Sequence, residues 1–284
     1  MEVFPQYRDG RAVVEDAGGA DPRPVELPPP SPAELRFVGG TQDLCRRLAA
    51  RLPEGAVSLG TEVTVVAEEE GGMTVTAASG AGDEHRLPCS FVVVAVPPRL
   101  ASAGIAFTPP LPEPVAEAMQ GTPTWMATAL KCVAVYERPF WRDAGFSGLA
   151  FSGVGPLIEV HDGCTADGAA AALWGFVSAD HAFRDLGFEQ RTAAVFAQLG
   201  RLFGPEAADP VQYHERDWSD DPYTNDVVVW FGEPLAYGNP ALTEPAYGGR
   251  LVWAGTETAD VGAGHMEGAV RSGRRAAAQV LAQV

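Results

Sequence analysis

Arg250–Ala278 reads RLVWAGTETADVGAGHMEGAVRSGRRAAA. An apolar run, a glycine-rich stretch and an alanine-rich run predict strand, loop and a closing helix from about Met266. Gly255, Gly262 and Gly264 let backbone approach another group closely. The helix that follows directs unpaired N–H groups and the positive end of its dipole at the same place. Such a helix start suits an anionic group. The glycines equally suit tight helix–strand packing, and the residues alone leave both readings open. Gly262-Ala263-Gly264 begins like a GxGxxG fingerprint, but the third glycine falls one place late, at Gly268. Val284 closes the sequence before a second strand, so no βαβ dinucleotide unit is predicted here.

Working outward, the 284 residues suggest two domains or one large one. Apolar residues make up 46% and charged residues 20%, which is globular composition and excludes disorder throughout. The net charge of −17 repels phosphate backbones and argues against a nucleic-acid partner. No stretch approaches the ~20 apolar residues of a membrane span. MEVFPQYRDG has no basic segment before an apolar run, so no signal peptide is read and a cytoplasmic location is expected. Cys45, Cys89, Cys132 and Cys164 form no CxxC pair and read as buried free thiols. His85, His161, His181, His214 and His265 form no spaced cluster, so no metal is expected.

The Pro-rich stretch Gly18–Pro32 reads as a linker. Thr41 is expected to cap a helix over TQDLCRRLAARL, with Leu44, Leu48 and Leu52 on one face. Strands are expected in TEVTVVA from Thr61, MTVTAA from Met73 and FVVVAV from Phe91, the last buried on both faces. A strand-like pattern covers Trp125–Tyr136, and further strands fall near Leu149, Leu157, Ala170 and Val227. Phe188–Phe203 reads as an amphipathic helix with Ala194, Phe196, Leu199 and Phe203 apolar. The closing helix carries Ala269, Val270, Ala277, Val280 and Leu281. The fold class is mixed α/β (α+β).

Eight stretches in order along the chain resemble the flavin-containing amine oxidase family, the monoamine oxidase and L-amino-acid oxidase group. GTET…GHMEGAVRSGRRAA resembles its C-terminal flavin motif, RFVGGTQDL its Gly-Gly segment before a helix, and TEVTVV its adenine-contacting strand. FVVVAVPP and FTPPLP resemble the strand and proline turns that follow. LKCVAVYERPFW carries the family's lysine as Lys131, and DWSDDPY resembles the loop over the flavin ring, with Trp218. EVFPQYRDGR resembles a piece found shortly after the first FAD-binding unit. The resemblance implies the C-terminal part of an FAD-linked amine oxidase fold: a mixed-sheet substrate domain plus an incomplete FAD-binding domain. It divides the chain into 1–35 (N-terminal segment and linker), 36–105 (partial FAD-binding domain), 106–235 (substrate domain) and 236–284 (closing FAD-binding strand, loop and helix).

It also implies roles. Lys131 holds a water at flavin N5 as the catalytic residue. Val63 contacts adenine through its backbone, Trp218 lies over the ring, and Gly255, Thr256 and Glu257 meet the ribityl and pyrophosphate region. The Met266 N–H donates to the flavin O2 edge. His265 and Val228 stand where many relatives frame the substrate amine with two aromatic rings. Val227 stands at the covalent-flavin cysteine of monoamine oxidases, so any FAD is expected to be non-covalent. The implied reaction oxidises an amine to an imine with oxygen as acceptor.

This sequence departs from the family pattern in lacking the opening strand–GxGxxG–helix unit and the long helical insert after Arg11. It is expected to begin just downstream of that unit and to be truncated, which leaves open whether the chain alone holds FAD. A second reading is a non-catalytic remnant or subunit that folds as a homodimer or on a partner supplying the N-terminal FAD-binding half.

Overall fold

The computed structural model describes residues 3–5, 9–16, 18, 21–27, 35–178, 181–225 and 237–284. In chain order the strands are β1 Val3–Pro5, β2 Arg11–Glu15, β3 Arg23–Glu26, β4 Leu35–Phe37, β5 Thr61–Glu69, β6 Gly72–Ser79, β7 Glu84–Cys89, β8 Val92–Val94, β9 Ala106–Thr108, β10 Leu130–Tyr136, β11 Phe146–Ser152, β12 Leu157–Asp162, β13 Ala171–Val177, β14 Gln212–Asp217 and β15 Leu251–Trp253. The helices are α1 Thr41–Ala49, α2 Pro98–Gly104, α3 Glu113–Gly121, α4 Phe140–Asp143, α5 His181–Arg184, α6 Phe188–Phe203 and α7 Met266–Leu281. The chain forms two compact units, 1–57 with 129–217 and 58–128 with 218–284. The class is mixed α/β, as read from the sequence.

The first unit is built on a seven-stranded mixed sheet ordered β14-β10-β13-β12-β11-β2-β3. Alternation along β10 sends Leu130, Cys132, Ala134 and Tyr136 to the buried face. There they pack with Leu157, Val160 and Leu173 against Val195, Leu199, Leu202 and Phe203 of α6. Lys131, Val133 and Val135 therefore lie on the opposite face. The Pro-rich stretch is not all linker, because β3 pairs with β2 at the sheet edge. Pro24 is tolerated there because an edge strand leaves one row of donors unused.

The second unit combines an antiparallel meander, β7-β6-β5, with β9 added in parallel to β5. A separate two-stranded parallel sheet, β8 with β15, carries α7. Its core gathers Val66, Met73, Val94, Met119, Leu242, Leu251 and Trp253. The α7 face that is buried is small, Gly268, Ser272 and Ala276, whereas Val270 and Leu281 of the expected apolar set are exposed. Close helix–strand approach selects small residues over bulky ones.

Three local expectations fail. Gly40, not Thr41, is the N-cap of α1, without a side-chain cap, and no α1 residue is buried. Within FVVVAV only Val94 is buried and Val93 is 46% exposed, so the stretch is not buried on both faces. Cys45 is exposed. Cys132 and Cys164 are buried, and burial raises their thiol pKa values to about 12 and about 11, which leaves them unreactive. Among the described residues no helix is long and apolar enough to cross a membrane, and no group of three or more His, Cys, Asp or Glu could hold a metal ion.

Candidate functional site

β15 runs into Gly255 at the carboxyl end of the β8–β15 pair, where open parallel sheets bind ligands. Gly255 has φ 101°, and a Cβ there would meet the Glu257 carboxylate at 3.3 Å and the Ala95 carbonyl at 3.6 Å. A 3₁₀ turn, Thr256–Thr258, follows. Arg275 of α7 fastens this turn from behind, donating to the Thr258 carbonyl at 2.8 Å, the Thr258 hydroxyl at 2.9 Å and the Trp253 carbonyl at 3.0 Å.

The loop 259–265 closes onto the turn. The Thr256 hydroxyl donates to the His265 carbonyl at 2.7 Å. The Gly268 N–H donates to the Gly262 carbonyl and the Ala269 N–H to the His265 carbonyl. The amides of Met266 and Glu267 have no hydrogen-bond acceptor among the described residues. Two donors at the dipole-positive end of a sixteen-residue helix are thus available to a ligand.

Glu257 is 6% exposed. Burial raises its pKa, opposed by a hydrogen bond from its own N–H. Arg271 on α7 pairs with Glu267, at 2.7 Å, and not with Glu257. Beside it the Tyr237 hydroxyl is buried, with the Trp125 backbone N–H and the Glu257 carboxyl nearby. Burial first, and the Glu257 carboxyl second, raise the tyrosine pKa to about 12. The raised Glu257 pKa has a testable sign. The folded chain holds this proton more tightly than the unfolded one, so the contribution is fully present below the unfolded carboxylate value. It is lost as pH rises through the folded value. Thermal melts of Glu257→Gln and parent should coincide near pH 4, and the variant should melt higher at pH 8. Equal melting at both would refute the assignment.

His265 is exposed at the N-cap of α7, with its Nδ1 3.0 Å from the Ala263 carbonyl. Its ring lies 4.8 Å from the Trp125 ring at 42°. A Cβ on Gly264 would meet Trp125 at 2.8 Å and Tyr237 at 3.5 Å. Trp125 and Tyr237 went unread in the sequence. The strand pattern begins at Trp125, but the backbone turns at 125–128, Met126 has φ 63°, and β10 starts only at Leu130.

Val63 lies on β5 at a bulge between Val63 and Val65, and it lines a groove of about 470 Å³ with Val96, Leu100, Ile105 and Tyr223. A bulge leaves backbone groups unpaired for other partners. Trp218 opens the turn Trp218–Asp220 and is 37% exposed. The structure gathers Gly255, Thr256, Glu257, His265 and Met266 into one loop–helix cradle within the second unit. Lys131 belongs to the first unit, half-buried on β10. Val227 and Val228 lie outside the described residues.

The model of the flavin containing amine oxidoreductase family matches residues 22–281. A Mycobacterium tuberculosis protein assigned as a flavin-containing monoamine oxidase is 38% identical over 252 residues, covering 87% of this chain and 52% of that protein. Putrescine oxidase of Kocuria rosea is 35% identical over 262 residues, covering 87% and 53%. A solved putrescine oxidase variant, redesigned in cofactor binding, superposes with a TM-score of 0.83 at 25% identity, covering 100% of this chain and 83% of that one. The chain spans about half the length of the curated relatives it matches.

Proposed function

The chain belongs to the flavin-containing amine oxidoreductase family, and from that premise we propose that it supplies the C-terminal portion of an FAD-dependent enzyme that oxidises amines. The observation that carries this reading is the cradle of Gly255–Glu257 and the two acceptor-free amides at Met266 and Glu267. These residues fit a flavin: close backbone approach at Gly255, donors for an electron-rich carbonyl edge, and the buried polar pair Glu257 and Tyr237 for hydroxyl groups. Val63 would meet adenine through its bulged backbone, and Trp218 would cover the ring.

Bound FAD supplies the acceptor for the hydride equivalent leaving the carbon beside an amine, giving an imine that water hydrolyses, with oxygen as final acceptor. Lys131 would hold a water by hydrogen bond and favour developing negative charge by its own positive charge. His265 would present its ring to the substrate nitrogen. With valine at position 227, no thiol stands there for a covalent bond to the flavin.

The test is flavin retention. The purified chain is mixed with FAD, freed of excess by gel filtration and read by visible spectrum. A retained flavin spectrum, then amine-dependent peroxide, supports the reading. A colourless chain that still binds no flavin beside a separately expressed GxGxxG half overturns it. A second reading, a non-catalytic subunit completed by a partner or a second copy, draws on exposed Val93 of the parallel strand β8, since parallel sheets are ordinarily covered on both faces. It expects a colourless oligomer.

A further inference from the structure

Of the twenty basic residues, nineteen are arginine and one is lysine, Lys131. An arginine cannot lose its proton in a protein, whereas a lysine ammonium responds to its surroundings. The one position that uses lysine is half-buried on an interior strand. Among the described residues it has no carboxylate ion pair.

What surrounds its ammonium is aromatic. Nζ lies 4.7 Å from the Phe176 ring centroid and 5.8 Å from that of Trp174. The register explains why: Phe176 stands directly opposite Lys131 on β13, and Trp174 stands opposite Val133, one same-face step away. The two rings are fixed against each other edge to face, centroids 5.4 Å apart at 77°. Trp174 is held in turn by the His161 ring, stacked at 4.3 Å and 15°, and His161 Nε2 is 2.9 Å from Glu159. Every ring in this row is therefore braced by another group on its own sheet face.

We propose that Trp174 and Phe176 are positioning residues for Lys131: their ring faces seat its ammonium group on the face of the sheet opposite α6 and stand in for the water that burial removes. This rests on the reading of Lys131 as a functional amine. A cation over two ring faces is attracted by their quadrupoles without a carboxylate, which would bind the ammonium in place. The other charged or titratable groups that share this face are Glu159 and His161 on β12, Arg216 and His214 on β14, where Arg216 stands opposite Lys131, and Arg23 at the far edge on β3. β13 contributes none. Burial lowers the lysine pKa and Glu159 opposes this, so the rings act with Glu159 to retain the charge.

A single lysine makes the test direct. The flavin-free full chain is reductively methylated with ¹³C-formaldehyde, and the dimethyl-lysine resonance is titrated by NMR, the terminal amine being the only other signal. In the folded parent the methyl resonance should be displaced by the rings from its position in denaturant. Phe176→Leu and Trp174→Leu should lower the titration midpoint by about half to one pH unit each. Phe176→Tyr, which keeps the ring, should restore the parent midpoint. An undisplaced parent resonance overturns the proposal, and so does an unchanged midpoint in the folded leucine variants. If those variants fail to fold, the parent displacement decides alone. Because no cofactor is present, failure here is separate from failure to retain flavin.

Discussion

Asp162→Ala should lower the stability of the first unit by about 3–5 kcal/mol. The carboxylate is 3% exposed. It accepts the Trp141 indole N–H, both Nε and Nη2 of Arg142 and the Cys164 backbone N–H, each at 2.9 Å. Half-buried Arg36 also feels its charge. Truncation leaves a guanidinium and two buried donors without their acceptor, and removing one member of a buried pair costs far more than the pair contributes. Trp141 is fully buried among Tyr136 and Phe140, so the indole cannot turn to water. Urea denaturation followed by tryptophan fluorescence measures the loss. A loss under about 1 kcal/mol would show that the network relaxes around the gap.

Gly268→Ala should run against helix propensity. Alanine normally stabilises a helix interior by about 1 kcal/mol over glycine. Here the new Cβ would sit 2.4 Å from the Gly262 carbonyl oxygen and 2.7 Å from the Thr256 hydroxyl. Neither can yield cheaply: Gly262 accepts from the Gly268 and His265 amides, and Thr256 is bonded to His265. The helix start must shift off the loop, which overpacking places at about 1–3 kcal/mol. Flavin affinity should fall roughly tenfold or more, since 1.4 kcal/mol is a factor of ten. Gly273→Ala is the control on the same helix, because a Cβ there meets nothing within 4 Å. It should stabilise slightly and leave flavin binding unchanged. Equal behaviour of the two variants in melting and in flavin fluorescence titration would remove the packing argument.

The strands and long helices were legible because their periods are local. Phe188–Phe203 appears as α6 with the bounds read from its apolar spacing, and Thr61–Glu69 and Gly72–Ser79 appear as a hairpin turning at Gly71. β7 was missed, because Glu84–Cys89 is a polar edge strand with little burial to pattern it. The caps and exposed faces were misread for the same reason. Whether Leu48 or Val93 is covered depends on what packs there, which the residue itself does not encode.

The cradle residues were found through ordered motifs, and Trp125, Tyr237 and Arg275 were not. Each reaches the Gly255–Met266 loop from elsewhere along the chain or from the back of α7, and no spacing rule joins Trp125 to His265, 140 positions later in the sequence.

By itself the sequence determined the strongly patterned elements, the acidic net charge, the family motifs and the single lysine, since all are properties of composition, local period or order along the chain. Only the tertiary structure decided that Glu257 is buried beside the Tyr237 hydroxyl, that α7 meets its strand through Gly268, Ser272 and Ala276, and that Lys131 lies over two rings. Burial, close approach and cross-strand register arise from which segments meet, and that is a long-range outcome of packing.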